Sequence, residues 1–258
     1  DDDHQHADGK QDEVHAAKLR RYQELIDAYL VVRPTPRPEV VELQQAANNI
    51  DLEVIAAGQI PLLDSTRCDS LLPVLNMLNM RYAIVPYQQK YVLPVRNPQA
   101  NGNAWFVRGM RYVEDADAEL AGLKGLDTKH VAVADKKFET VLGDAQNDTT
   151  AAAVLTDYEA NELQYDVESR DGGVLVFSEI YYPGWTCEVD GQPVEIGRVN
   201  YVLRAIRING GKHHVVLIFK PNSERITEAI AYSALGSLAL LFVGLLIRLF
   251  MKSRNKEE

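Results

Sequence analysis

The chain has 258 residues, with 27 Lys+Arg against 37 Asp+Glu and a net charge of −10. That length suits one large domain or two small ones, and that charge argues against a nucleic-acid partner, which needs a basic face. Its two cysteines, Cys68 and Cys187, form no Cys-x-x-Cys or comparable spacing, so the sequence predicts no metal site.

Residues 1–13 are acidic and polar and include His4 and His6. Their composition predicts a disordered segment rather than a metal-binding tail, because no rigid element fixes the imidazoles. From Val14 to Val32, Leu19, Tyr22, Ile26 and Tyr29 recur at helical steps and predict a helix. The run RPTPRP at 33–38 breaks it and forms an extended linker, and Glu39–Asn49 is expected to be a second helix.

Ser70–Met80 reads as a short helix with Pro73 in its first turn, and Tyr82–Val85 as a strand stopped by Pro86. A strand is expected at Ala104–Val107, a helix at Asp115–Lys124 and a strand at His130–Ala134. This alternation predicts a small α/β region over residues 14–150.

Beyond residue 150 the pattern becomes all-β. Leu163, Tyr165 and Val167 alternate with polar neighbours, and Val174–Ile180 is apolar on both faces, as a central strand would be. Asp190-Gly191 is a two-residue hairpin signal, and Pro193 assigns the returning strand to a sheet edge. Two more strands, Tyr201–Ile208 and His213–Phe219, complete a β-sandwich over residues 151–222. The fold class is therefore α+β.

A transmembrane helix is expected over residues 226–250. Ala229–Ile247 carries no charge, and at helical rise it spans about 28 Å, near the thickness of a bilayer's hydrocarbon. Arg248, Lys252, Arg254 and Lys256 follow it, so the positive-inside rule assigns residues 251–258 to a cytoplasmic basic tail and residues 1–225 to the far side of the cytoplasmic membrane. No signal peptide is legible, which leads to the expectation that export depends on something upstream of Asp1. Ala229, Ser233 and Ser237 fall at four-residue steps beside Gly236 and Gly244, a pattern that lets a helix dock on other membrane helices.

The stretch SEIYYPGWTCEVDG, residues 178–191, holds the candidate contacts. Pro183-Gly184 fits a type II turn, which splays strands and so predicts a corner rather than a hairpin. Tyr181 continues the face of Leu175 and Phe177, and Trp185 continues into Cys187 and Val189, so both are expected to point inward. Alternation leaves Tyr182 undetermined. Two readings stand: an aromatic platform for a sugar, and structural packing.

Glu179 and Arg204 each interrupt an apolar face. A buried lone charge costs several kcal/mol, so they are expected to pair, with a polar ligand at the rim as the alternative. Cys187 lies on an inward face and Cys68 in a polar loop, so a disulfide between them is not expected. One of His213 and His214 must face outward. No Ser/His/Asp spacing, phosphate loop or HExxH occurs, and no catalytic residue is assigned.

The run SEIYYPGWTCEVDGQPVEIGRVNYVLRAIRINGGKHHVVLIFKP resembles the C-terminal region of YfhO-like bacterial membrane proteins. The residues that carry the likeness are Glu179, Tyr182, Pro183, Gly184, Trp185, Asp190, Gly191, Asn200, Arg204, Ala205, Gly211 and His213. AKLRRYQELID at 16–27, LNMLNMRYAIVP at 75–86 and NPQANGNAWFV at 97–107 look like Bacteroidetes-type members. The resemblance implies a polytopic GT-C-like glycosyltransferase that uses a polyprenyl-phosphate sugar donor, with catalysis in an early loop that this chain lacks.

On that implication, the chain is the accessory outer portion plus the last helix. Its partners are the bilayer, upstream helices of the same protein and an envelope glycan, with Glu179, Tyr182, Trp185, Asn200 and Arg204 as ligand or structural contacts and no cofactor bound here. The alternatives are a stand-alone membrane-anchored glycan-binding module and a purely structural ectodomain.

Overall fold

A computed structural model of the chain describes residues 20–30, 54, 57–63, 72–87 and 91–254. The expected disordered segment, the RPTPRP linker, the Glu39–Asn49 helix and Cys68 lie outside the described residues. The chain divides into two compact units, Asp1–Ile218 and Phe219–Glu258.

The first described element of the first unit is a helix at residues 20–30, in which Ile26–Leu30 is π-helical. Helix α1 (Leu72–Met77) buries Leu72, Val74, Leu75 and Met77. Strands β1 (Tyr82–Tyr87) and β2 (Tyr91–Arg96) form an antiparallel two-stranded sheet. β1 runs through Pro86 instead of stopping there. Proline is tolerated because this ribbon is all edge, and the missing N–H breaks no central ladder.

Strand β3 is Ala104–Val107, and β4 (Gly109–Val113), which the sequence pattern did not reveal, pairs in parallel with β5 (Val131–Asp135). Between them lies helix α2 (Ala116–Ala121), capped where Asp115 accepts a hydrogen bond from the Ala118 N–H at 2.8 Å. A short helix α3 (Glu139–Leu142) precedes the sandwich.

Eight further strands follow: β6 (Ala152–Glu159), β7 (Glu162–Ser169), β8 (Gly173–Ile180), β9 (Trp185–Val189), β10 (Gln192–Val194), β11 (Gly197–Val199), β12 (Leu203–Ile208) and β13 (Gly211–Phe219). They form one sheet ordered β10-β9-β13-β7-β6 and another ordered β11-β12-β8-β3. Pro193 lies on the edge strand β10, as expected. β8 is central, as its two-sided apolar run predicts.

The sheets pack face to face through Leu163, Tyr165, Val215 and Leu217 on one side and Leu175, Phe177, Ile206 and Ile208 on the other. The Tyr165 and Phe177 rings meet edge-on at 5.1 Å. The opposite face of the four-stranded sheet is also covered: Trp105, Val107, Val174, Val176, Leu203 and Ala205 join Leu25, Met77, Val133 and Leu142 in a second core.

Two expectations change here. Strand β3, on the α/β side of the boundary drawn at residue 150, pairs with β8 along Ala104–Val107 and belongs to the sandwich. Its four residues lie too far from the other strands in sequence for local alternation to show this. Tyr181 does not share the face of Leu175 and Phe177. The strand ends at Ile180, so alternation ends with it, and Tyr181 instead meets the Phe138 ring edge-on at 5.9 Å on the other side of the sheet.

The second unit is helix α4 (Asn222–Arg254). Its Ile230, Leu235, Leu238, Leu240, Leu241 and Phe242 side chains are exposed. Among the described residues, no helix is long and apolar enough to cross a membrane.

Candidate functional site

The corner between the sheets is where four of the five candidate residues, Glu179, Tyr182, Trp185 and Arg204, lie. β8 belongs to the four-stranded sheet and β9 to the five-stranded one, so residues 181–184 carry the chain from one layer to the other. Gly184 has φ +93°, the left-handed value that the third position of a type II turn requires and glycine adopts without strain. Tyr182 and Trp185 are half-buried on this corner.

Arg204 is brought here by a fault in the ladder. Leu203 pairs with Ile180 but Arg204 pairs with Phe177, so Ser178 and Glu179 bulge from β8. Arg204 then shares the inter-sheet face of Phe177 and is 1% exposed. Its guanidinium lies over the Trp185 ring at 4.1 Å, and its Nη2 reaches Glu179 Oε2 at 3.4 Å. Among the described residues, the Nε and Nη1 groups are buried without a hydrogen-bond partner.

The expected Glu179–Arg204 pairing is therefore present, although one long contact is weaker than a two-pronged fork. Stacking on Trp185 supplies much of the remaining compensation. Burial lowers the Arg204 pKa and raises that of Tyr165. Burial also pushes the Cys187 thiol up to about 12, which leaves it a poor nucleophile.

Asn200 is elsewhere. Together with Tyr201 it turns β11 into β12, at φ +49° and +70°. Asparagine tolerates that region, but tyrosine does so rarely. Asn200 Oδ1 accepts from the Val133 N–H at 3.0 Å, and the Asn200 N–H donates to Val133 O at 2.7 Å, so the turn is laced to β5.

The same turn hangs on a buried charge cluster that the sequence reading missed. Glu119 is fully buried and accepts from Arg198 Nη2 at 2.7 Å and from the Tyr201 N–H at 2.9 Å. Burial pushes the Glu119 pKa up against the pull of Arg198, but two hydrogen-bond donors and the Arg21 guanidinium at 3.8 Å around one carboxylate describe a structural clamp. Arg198 was findable as a charge within the buried strand Gly197–Val199, whereas Glu119 has no signal in the ADAELA helix.

The histidines split as expected: His214 is exposed against Asp166 at 2.8 Å, and His213 turns inward. His213 Nδ1 lies 2.6 Å from Asp190 Oδ2, and the His214 N–H donates to Asp190 Oδ1 at 2.8 Å. Asp190 thus clips the β9–β10 hairpin to β13. Among the described residues, no group of three His, Cys, Asp or Glu side chains could hold a metal ion.

The fold defines a two-sheet antiparallel sandwich, backed by a smaller α/β layer and locked at its corner by the buried Arg204 with the half-buried Trp185 and Glu179. Residues 124–231 match the model of a family described as "Bacterial membrane protein YfhO". The match covers less than half of the chain, runs through the whole five-stranded sheet and ends within helix α4. Comparison with curated proteins and with solved structures returns no match.

Proposed function

We propose that the chain is the extracytoplasmic C-terminal portion of a polytopic membrane protein of GT-C glycosyltransferase type, similar to Bacteroidetes YfhO-like proteins. Such a protein moves a sugar from a polyprenyl-phosphate carrier to a cell-envelope acceptor. Here the sandwich has an accessory role: bracing the membrane part and recognising the acceptor. The observation that carries this reading is the family match, which joins sandwich and helix in one stretch, 124–231.

Two features support the membrane-spanning reading of helix α4. The uncharged run Ala229–Ile247 lies within one helical backbone, and its exposed apolar side chains include Ile230, Tyr232, Leu235 and Leu238 on successive faces. A helix apolar all round suits lipid rather than water. The corner cluster acts as a brace, since the Trp185 ring that a sugar would need is covered by Arg204.

Two experiments test the proposal. In intact cells, a cysteine placed after Lys256 should resist a membrane-impermeant thiol reagent, while one at Glu159, exposed on β6, should react. The opposite labelling pattern would refute the topology. Deleting residues 151–218 from the full-length protein should abolish sugar transfer, and unchanged transfer would refute the accessory role.

A further inference from the structure

Two adjoining cavities open along the edge of the sandwich. One, of about 740 Å³, is lined by Asn76, Gln99, Asn101, Asp127, Thr128 and Lys129 among others. The second, of about 550 Å³, lies between strands β3 and β6 and includes Arg81, Asn103, Arg108, Lys129, His130 and Asp148. Asn101 and Lys129 line both, so the two form one groove.

The charge of this groove runs against that of the chain. Among the described residues, Arg81 reaches only neutral amides, Asn79 Oδ1 at 3.4 Å and Asn103 Oδ1 at 3.3 Å. Lys129 donates to the Asn101 carbonyl at 2.5 Å and faces the Trp105 ring at 5.8 Å. Among the described residues, none of Arg81, Arg108 and Lys129 has a carboxylate partner. The carboxylates present are already committed. Asp148 accepts from the Thr150 N–H and hydroxyl, the Ser169 hydroxyl and the Arg170 N–H, and Asp127 holds His130 at 2.7 Å.

With three cations against the two carboxylates Asp127 and Asp148, the groove is net positive within a chain of net charge −10 and attracts anions. The walls add neutral polar groups. β3 and β6 are terminal strands of their sheets and each turns a free edge of N–H and C=O groups outward. Asn76 and Gln99 supply amides along the first cavity, beneath which the buried Asn101 Nδ2 donates to the Thr128 hydroxyl at 3.2 Å. A cluster of cations beside a row of amides suits a ligand with one acidic group and several hydroxyls.

We propose that this groove binds an acidic saccharide, with its carboxylate or phosphate at Arg81, Arg108 and Lys129 and its hydroxyls along Asn76 and Gln99. The inference rests on the acceptor-recognition part of the function proposed above, and it names the class of acceptor. The ring of Trp105, against which Lys129 sits, lines the second cavity and provides a native reporter.

The test uses the full chain in neutral-lipid nanodiscs, titrated with glucuronic acid, glucose 6-phosphate and glucose, with calorimetry beside Trp fluorescence. At least one acidic sugar should bind, about tenfold or more tighter than glucose, with affinity falling as salt rises. Whichever acid binds tighter identifies the carboxylate or the phosphate ester as the natural group. Arg108→Ala and Lys129→Ala should each weaken that binding about tenfold or more, while Lys124→Ala, outside the groove, should leave it unchanged.

No binding of either acid, equal binding of glucose, or wild-type affinity in both groove variants would overturn the proposal. Circular dichroism of the variants excludes misfolding as the cause of a loss. If Arg108→Ala lost acid binding yet left sugar transfer by the full-length protein intact, the groove would stand and its link to the acceptor would fall.

Discussion

The corner cluster predicts an asymmetry between its two charged members. Arg204 is almost fully buried, whereas the Glu179 side chain keeps 34% of its surface in water. Removing one partner of a buried pair strands the other and typically costs about 3–5 kcal/mol. Glu179→Gln strands a buried guanidinium, but the contact is long and Trp185 still covers the cation, so the expected cost falls to roughly 1–2 kcal/mol. Arg204→Met fills similar space without a charge, and the Glu179 left behind reaches water. Its expected effect is within about 1 kcal/mol of zero, since buried pairs are often replaced by apolar groups without loss.

For a unit of this size each kcal/mol moves the melting temperature by roughly 2–4 °C. Thermal and urea unfolding followed by circular dichroism in micelles would read both variants. The double variant should match Arg204→Met, because no cation remains to be stranded. A loss of about 3 kcal/mol or more in Arg204→Met, with Glu179→Gln unchanged, would refute this reasoning and would mean that Arg204 acts through packing that methionine cannot replace.

Three further outcomes are expected. The hydrogen bonds from the Thr150 hydroxyl and N–H, Ser169 and Arg170 hold the Asp148 pKa far below its ordinary 3.8. Its folded-state stabilisation is therefore fully present above that value and lost as pH falls through the lowered one. Asp148→Asn removes this contribution, so its stability should depend less steeply on pH below 3.8 than that of the wild type, as acid titration of the unfolding curve would show. Gly172→Ala should cost at least about 2 kcal/mol, because at φ +73° a Cβ would stand 2.4 Å from the Ile208 carbonyl oxygen. Gly125→Ala, at φ +66° with nothing within 4 Å, should cost only the backbone term of about 1–2 kcal/mol, and paired urea curves separate the two.

Local pattern made the corner legible and long-range pairing hid the rest. The Pro183-Gly184 corner, the Asp190-Gly191 turn and the edge position of Pro193 each follow from a few adjacent residues, so alternation and turn chemistry found them. Glu179 and Arg204 were matched across the sequence because each broke an apolar face, and a lone buried charge demands an opposite one. That rule stops working where the charges are exposed. Arg81 and Arg108 stand at the ends of short apolar runs and Lys129 in a polar turn, and nothing in their neighbours links the three. They meet only because β3 leaves the α/β stretch to extend the sheet of β8, which sets it beside β6 at the open edge of the sandwich. The pairing that sequence reasoning drew on the wrong side of residue 150 is thus the same one that builds the groove. Had β3 been assigned to the sandwich from the start, its flanking residues Asn103 and Arg108 would have been placed at that edge as well. The error about the fold and the silence about the site have a single cause.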